Sequence, residues 1–197
     1  MVSPWMDNGS LPRYLKDNPK ADPCSFCAQI SDGLAHLHQI GITHGDIKGA
    51  NVLVHNDGTC VLADFGNSLF MGGRVDFTAT TQENNLTARW AAPELLGETG
   101  KRSQAADIYA LGMTMLEIMT QKIPYDGASD FAVITFIIQK KLPTRPEDWI
   151  PSSSQDGNKF WELLLSCWAH GPKRRPKANE VATTMKSITM KGLKPIH

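Results

Sequence analysis

The chain has 197 residues, 41% hydrophobic and 20% charged, which excludes a disordered chain and suits one packed domain or two small ones. Its 20 Lys and Arg balance its 20 Asp and Glu, so no overall field draws it to nucleic acid or to an anionic membrane. The longest apolar run, residues 108–119, is broken by Gly112, Thr114 and Glu117 and falls short of a bilayer span.

In chain order, Met1 to Trp5 show no basic and then apolar leader. Ser10 is placed to cap a short helix through Leu11, Tyr14 and Leu15 that stops near Pro19. Asp22-Pro23 starts a second helix, with Asp as N-cap and Pro at the first position. Phe26, Ile30, Leu34 and Leu37 then repeat at helical spacing, and Gly41 marks the end. Cys24 and Cys27 lie i, i+3 inside this pattern, which reads as packing; no second CxxC follows to complete a zinc site. Four scattered cysteines (Cys24, Cys27, Cys60, Cys167) make no disulfide framework, so the expected setting is reduced, intracellular and cytoplasmic.

Val52–Val54 and Cys60–Leu62 flank Asn56-Asp57-Gly58-Thr59, a hairpin signal. Residues 64–85 are rich in Gly, Thr and Asn and read as a long surface loop. The chain turns helical after Pro93. Asp107 to Thr120 is expected to be a helix buried most of the way round. Three more helices are expected near 129–140, 159–169 and 177–189. The profile is mainly α, a helical bundle carrying one small β-hairpin.

The chemistry concentrates at His44-Gly-Asp46-Ile-Lys48-Gly-Ala-Asn51 and at Ala63-Asp64-Phe65-Gly66. A hairpin returns its ends to one place, so Asn51 and Asp64 are expected to face each other. Their oxygens suit a hard cation such as Mg²⁺, which takes its remaining ligands from phosphate or water. Lys48 is placed to neutralise phosphate charge, and Asp46 to accept a proton from an attacking hydroxyl. That set fits phosphoryl transfer, where positioning and electrostatics dominate.

These residues resemble the protein-kinase family. His44 to Asn51 resembles the catalytic loop H-x-D-x-K-x-x-N, and Asp64-Phe65-Gly66 the DFG motif. Ala92-Pro93-Glu94 resembles the APE motif. Asp107-Ile-Tyr-Ala-Leu-Gly112 resembles a helix of the C-lobe, and Cys167-Trp168 with Arg174-Arg175-Pro176 resembles the late C-W…R-P signature. The resemblance implies ATP and Mg²⁺ as cofactors and a protein substrate, with no nucleic acid and no membrane span. It assigns Asp46 and Lys48 to catalysis and Asn51 and Asp64 to Mg²⁺. It places Phe65 against His44, pairs Glu94 with Arg175, and sets Asp107 beneath the catalytic-loop backbone.

Lys48 lies two residues after Asp46, as in Ser/Thr-directed kinases. Thr87 lies five residues before Ala92, where Ser/Thr-directed kinases carry Thr or Ser, and the resemblance implies a substrate-positioning hydroxyl there, placed to bridge Asp46 and Lys48. Arg89-Trp90 and Cys167-Trp168 are tyrosine-kinase-like, a mixture similar to the tyrosine-kinase-like group. Gly45 stands where the family has Arg, so switching through a loop phosphate at that contact is not expected.

No Gly-rich loop or V-A-I-K strand precedes the catalytic loop. Val2 to Met6 resembles the hinge below the N-lobe, with Ser3 as gatekeeper. Pro4 and Met6 then offer backbone to adenine, and Leu53 lies on its floor. The resemblance thus implies hinge plus C-lobe over residues 1–189 and a tail over 190–197. Two expectations follow. In one, the chain is the C-lobe portion of a Ser/Thr kinase, with little activity by itself. In the alternative it is an inactive lobe serving as a protein-binding module, whose exposed upper face takes the missing N-lobe or another protein.

Overall fold

A computed structural model describes residues 6–70, 73–74, 88–96 and 100–193. Helix starts in it follow capping chemistry. Helix α1 spans Leu11–Asp17 and α2 spans Pro23–Gln39. Asp22 Oδ1 accepts from the amides of Cys24 at 2.8 Å and Ser25 at 3.2 Å, a cap worth about 1 kcal/mol. Gly41 follows the end of α2 at φ +79. Ser10 stands at the start of α1, but its side chain makes no capping bond; its backbone instead bridges to Leu53.

Helix α3 spans Gln104–Thr120, three residues longer at its start than the apolar pattern suggested. The pattern is silent there because the start is set by Ser103, whose hydroxyl accepts from the Ala106 amide at 3.1 Å. Helix α4 spans Asp130–Ile138, α5 spans Gln155–Cys167 and α6 spans Ala178–Met185. The α5 start lies four residues before the expected one, because Ser154 Oγ accepts from Gly157 N at 2.7 Å. Helix α6 is shorter at its end than expected.

Helix α3 is the centre of the core. Ile108, Leu111, Met113, Met115, Ile118 and Met119 are all buried, so it has no solvent face to display a clean helical period. Phe26, Ile30 and Leu34 of α2 and Phe160 and Leu164 of α5 pack into the same cluster. Val181 and Met185 of α6 close it on the far side of α2. Each such side chain contributes roughly 1.5–3 kcal/mol by leaving water. All four cysteines are unpaired and buried. Burial pushes the thiols of Cys24, Cys60 and Cys167 up to about 12, so they stay protonated and inert at neutral pH.

Strand β1 is Ile42–Thr43; β2 (Val52–Val54) and β3 (Cys60–Leu62) form the expected hairpin, with Val52 opposite Leu62 and Val54 opposite Cys60. The stretch after it is not wholly loop. Phe65–Asn67 make a 3₁₀ turn, and β4 (Leu69–Phe70) pairs with β1, with Thr43 opposite Leu69. Strand β5 (Gly73–Arg74) pairs with β4 in turn. Two-residue strands have no room for an alternating pattern, so nothing local announces them. Residues 71–72 and 75–85 of that expected loop lie outside the described residues. Among those described, no helix is long and apolar enough to cross a membrane.

Candidate active site

The 44–51 segment leaves β1 and runs over the first turn of α3. Asp107, in that turn, holds it by its main chain. Its Oδ2 accepts from the His44 amide and its Oδ1 from the Gly45 amide, each at 2.8 Å. His38, near the end of α2, adds Nε2 at 2.9 Å from Asp107 Oδ2. The carboxylate is 2% exposed, so these contacts replace the water it has lost.

His44 is fully buried. The Asp46 amide can only donate, so His44 Nδ1 accepts from it at 3.3 Å and Nε2 carries the ring proton to Ala63 O at 3.0 Å. The ring of Phe65 lies 5.0 Å away, tilted by 46°. Burial, the largest influence, holds the His44 imidazole below its usual range against the pull of Asp107.

Asp46 is the focus of the segment. Its Oδ2 lies 3.0 Å from Lys48 Nζ and accepts from Asn51 Nδ2 at 3.0 Å. Asn51 Nδ2 also donates to Asp46 O at 2.8 Å. The other oxygen, Oδ1, is buried and has no hydrogen-bond partner among the described residues. One oxygen is thus fixed and the other left to accept.

The hairpin brings Asn51 and Asp64 to its open end. Ala63 N donates to Asn51 O at 2.8 Å, one step beyond the Val52–Leu62 pair. Asp64 follows, exposed and left-handed at φ 62, with Oδ1 accepting from Gly66 N at 3.2 Å. Asn51 spends its N–H groups on Asp46, which leaves its carbonyl oxygen for another ligand. A carbonyl and a carboxylate are the hard donors a divalent cation such as Mg²⁺ takes. Among the described residues no group of three His, Cys, Asp or Glu side chains is placed to hold a metal ion.

Leu53 and Met6 are described and half-buried. Ser3, Pro4 and Thr87 lie outside the described residues. Glu94 and Arg175 form a two-pronged pair at 2.6 and 2.8 Å. The Arg175 side chain has no exposed surface, whereas that of Glu94 is 26% exposed. Arg175 also donates to Ala105 O and Ala169 O.

Two further residues reach the 44–51 segment only through packing. His38 has no local motif that singles it out; its link to Asp107 depends on a contact across 69 positions. In the sequence, Glu117 only interrupts an apolar run. It is buried in α3, and its Oε2 accepts from Gly49 N and from Trp90 Nε1, both at 2.9 Å. A lone acid within a buried helix was the signal available, since such a charge needs partners.

Comparison with known proteins adds the decisive observation. Residues 1–185 match the family model described as protein tyrosine and serine/threonine kinase. The chain belongs to the protein kinase family. A probable LIM domain-containing serine/threonine-protein kinase of Dictyostelium discoideum is 32% identical over 192 residues, covering 95% of this chain and 28% of that protein. A second protein of the same description and organism is also 32% identical, covering 95% of this chain and 19% of that protein. A mitogen-activated protein kinase kinase kinase of Arabidopsis thaliana is 35% identical over 164 residues, covering 83% of this chain and 23% of that protein. The chain thus spans less than a third of the length of these relatives. The kinase family as a whole uses ATP and Mg²⁺ and acts on proteins.

Proposed function

We propose that this chain carries the catalytic segment of a protein serine/threonine kinase, which moves the terminal phosphate of ATP to a Ser or Thr hydroxyl of a protein. The observation that carries the reading is Asp46 Oδ1: buried, unpartnered among the described residues, on a carboxylate whose other oxygen is fixed by Lys48 and Asn51. It is poised to orient the incoming hydroxyl and take its proton as the oxygen–phosphorus bond forms. Lys48, 3.0 Å from Asp46 Oδ2, sets its ammonium beside the transferring group and offsets the charge that gathers there. Asn51 and Asp64 would hold Mg²⁺. The cation, when bound, supplies charge neutralisation between phosphate oxygens. Leu53 and the backbone at Met6 are the described residues assigned to adenine, with Ser3 and Pro4 completing that side. Thr87 is assigned to bridging Asp46 and Lys48.

The Ser/Thr preference is supported by the Lys48 spacing and by the printed descriptions of the relatives. Four unpaired, buried thiols suit a reducing, cytoplasmic setting. Incubating the natively expressed protein with labelled ATP, Mg²⁺ and a Ser/Thr-rich protein tests the reading. Phosphoamino-acid analysis should find phosphoserine or phosphothreonine. Asp46→Ala should lower the rate by about 10²–10⁴-fold, the range of a lost general base. Label on tyrosine alone, or a rate indifferent to Asp46→Ala, overturns it.

A further inference from the structure

Glu117 ties together two segments that no other described hydrogen bond joins directly. Gly49 belongs to the catalytic loop, one residue after Lys48. Trp90 lies in the segment that leads into Ala92-Pro93-Glu94. Both donate to the same atom, Glu117 Oε2, at 2.9 Å. The fit around that carboxylate is close. A Cβ on Gly49 would stand 2.7 Å from Glu117 Cδ and Oε1, so position 49 admits no side chain while Glu117 holds this place. Trp90 is 6% exposed and Glu117 7%, which leaves little water to compete for either donor.

We propose that Glu117 is a positioning residue, whose Oε2 sets the spacing between the Asp46–Lys48 pair and the segment through Trp90. The proposal rests on the kinase reading above for its effect on rate, and on geometry alone for the coupling itself. Helix α3 is a rigid base, since it is buried on all sides. An acceptor fixed on it holds both segments to one reference. Misplacing reacting groups by about 1 Å costs on the order of 10²-fold in rate.

The carboxyl has a built-in reporter. Burial, the largest influence, raises it to about 7, against the pull of the Gly49 and Trp90 donors and of the Lys48 ammonium. Lys48 is the charged group facing it from the catalytic loop; Arg89, next to Trp90, is turned to Asp130 and to the carbonyls of Pro124, Tyr125 and Ala128. Protonation at Glu117 should therefore move the signals of both donors with one midpoint.

Two measurements on the full protein decide the matter. In ¹⁵N NMR, the Gly49 amide and the Trp90 indole N–H should titrate together near pH 7. Both should stop titrating in Glu117→Gln, which keeps an acceptor oxygen, and both should shift strongly in Glu117→Ala. Independent titration of the two, or a shift of only one, overturns the coupling. In steady-state transfer, Glu117→Ala should lower kcat by about 10–100-fold with KM for ATP changed less than about threefold, and Glu117→Gln should recover most of the loss. A loss equal to the unfolded fraction alone, or Glu117→Gln as impaired as Glu117→Ala, rejects the positioning role. If the unaltered protein transfers no phosphate, the kinase reading fails, while the NMR titration still decides the coupling.

Discussion

His44 lies within the 44–51 segment and Glu117 against it, both buried, and burial disfavours the charged form of each. For His44 this means a native imidazole held below its ordinary value of 6.5. Between the lowered native value and 6.5, the unfolded chain binds more protons than the folded one. Stability contributed by His44 is therefore full above that window and lost as pH falls through it. For Glu117 the native value rises from 4.5 to about 7, so the folded chain binds more protons across that interval. Stability then declines as pH rises from 4.5 to about 7, by on the order of 3 kcal/mol. Glu117→Gln cannot titrate. Its unfolding free energy, measured by denaturant titration from pH 5 to 8, should gain on the unaltered chain as pH rises. Parallel curves would show that Glu117 has no raised value.

At the scale of elements, the 44–51 segment is shaped by what packs beneath and behind it. Gly45 sits at φ +80, where a side chain is strained. A Cβ there would also stand 2.6 Å from Asn67 O and 2.8 Å from Arg102 Cδ. The departure from the family's Arg at this place is thus built into the surroundings, with the Arg102 stem lying where a side chain of residue 45 would begin. Gly45→Arg should destabilise by about 2 kcal/mol or more, from a positive-φ penalty plus overpacking. That corresponds to a fall in Tm of roughly 4–8 °C for a chain of this size. An unchanged Tm would mean that Asn67 and Arg102 move aside at little cost. The elements themselves differ in how far they could be read. The start of α2 was legible because Asp22-Pro23 is a local signal, and the hairpin because Asp57-Gly58 lies between two apolar runs. Strands β1, β4 and β5 were not, because two-residue strands leave no periodic trace, and β1 meets β4 only across 26 or more positions. The site followed the same division. Asp46, Lys48 and Asn51 are close in sequence and stood out; Glu117 and His38 reach it only through the packing of α3 and α2.

Across the whole molecule, the pair formed by Glu94 and Arg175 joins the segment after Trp90 to the turn before α6, 81 positions apart. Arg175 stacks over Tyr109 at 5.1 Å and donates to carbonyls at 105 and 169, so one guanidinium touches α3, the end of α5 and the Glu94 segment. Its environment is asymmetric. The Arg175 side chain is sealed from water and the Glu94 side chain is not. Removing Glu94 leaves a buried cation with only neutral acceptors, whereas removing Arg175 leaves a carboxylate that water can reach. Glu94→Ala should thus cost about 3 kcal/mol, the lower end for a broken buried pair, and lower Tm by roughly 6–12 °C. Arg175→Met also loses its two carbonyl bonds and its ring contact, so it should cost at least as much. The double variant should cost less than the sum, because no unpaired charge remains once both are gone. Thermal unfolding of the four proteins gives the coupling directly. Strict additivity would show that the pair closes on contact without holding the molecule together.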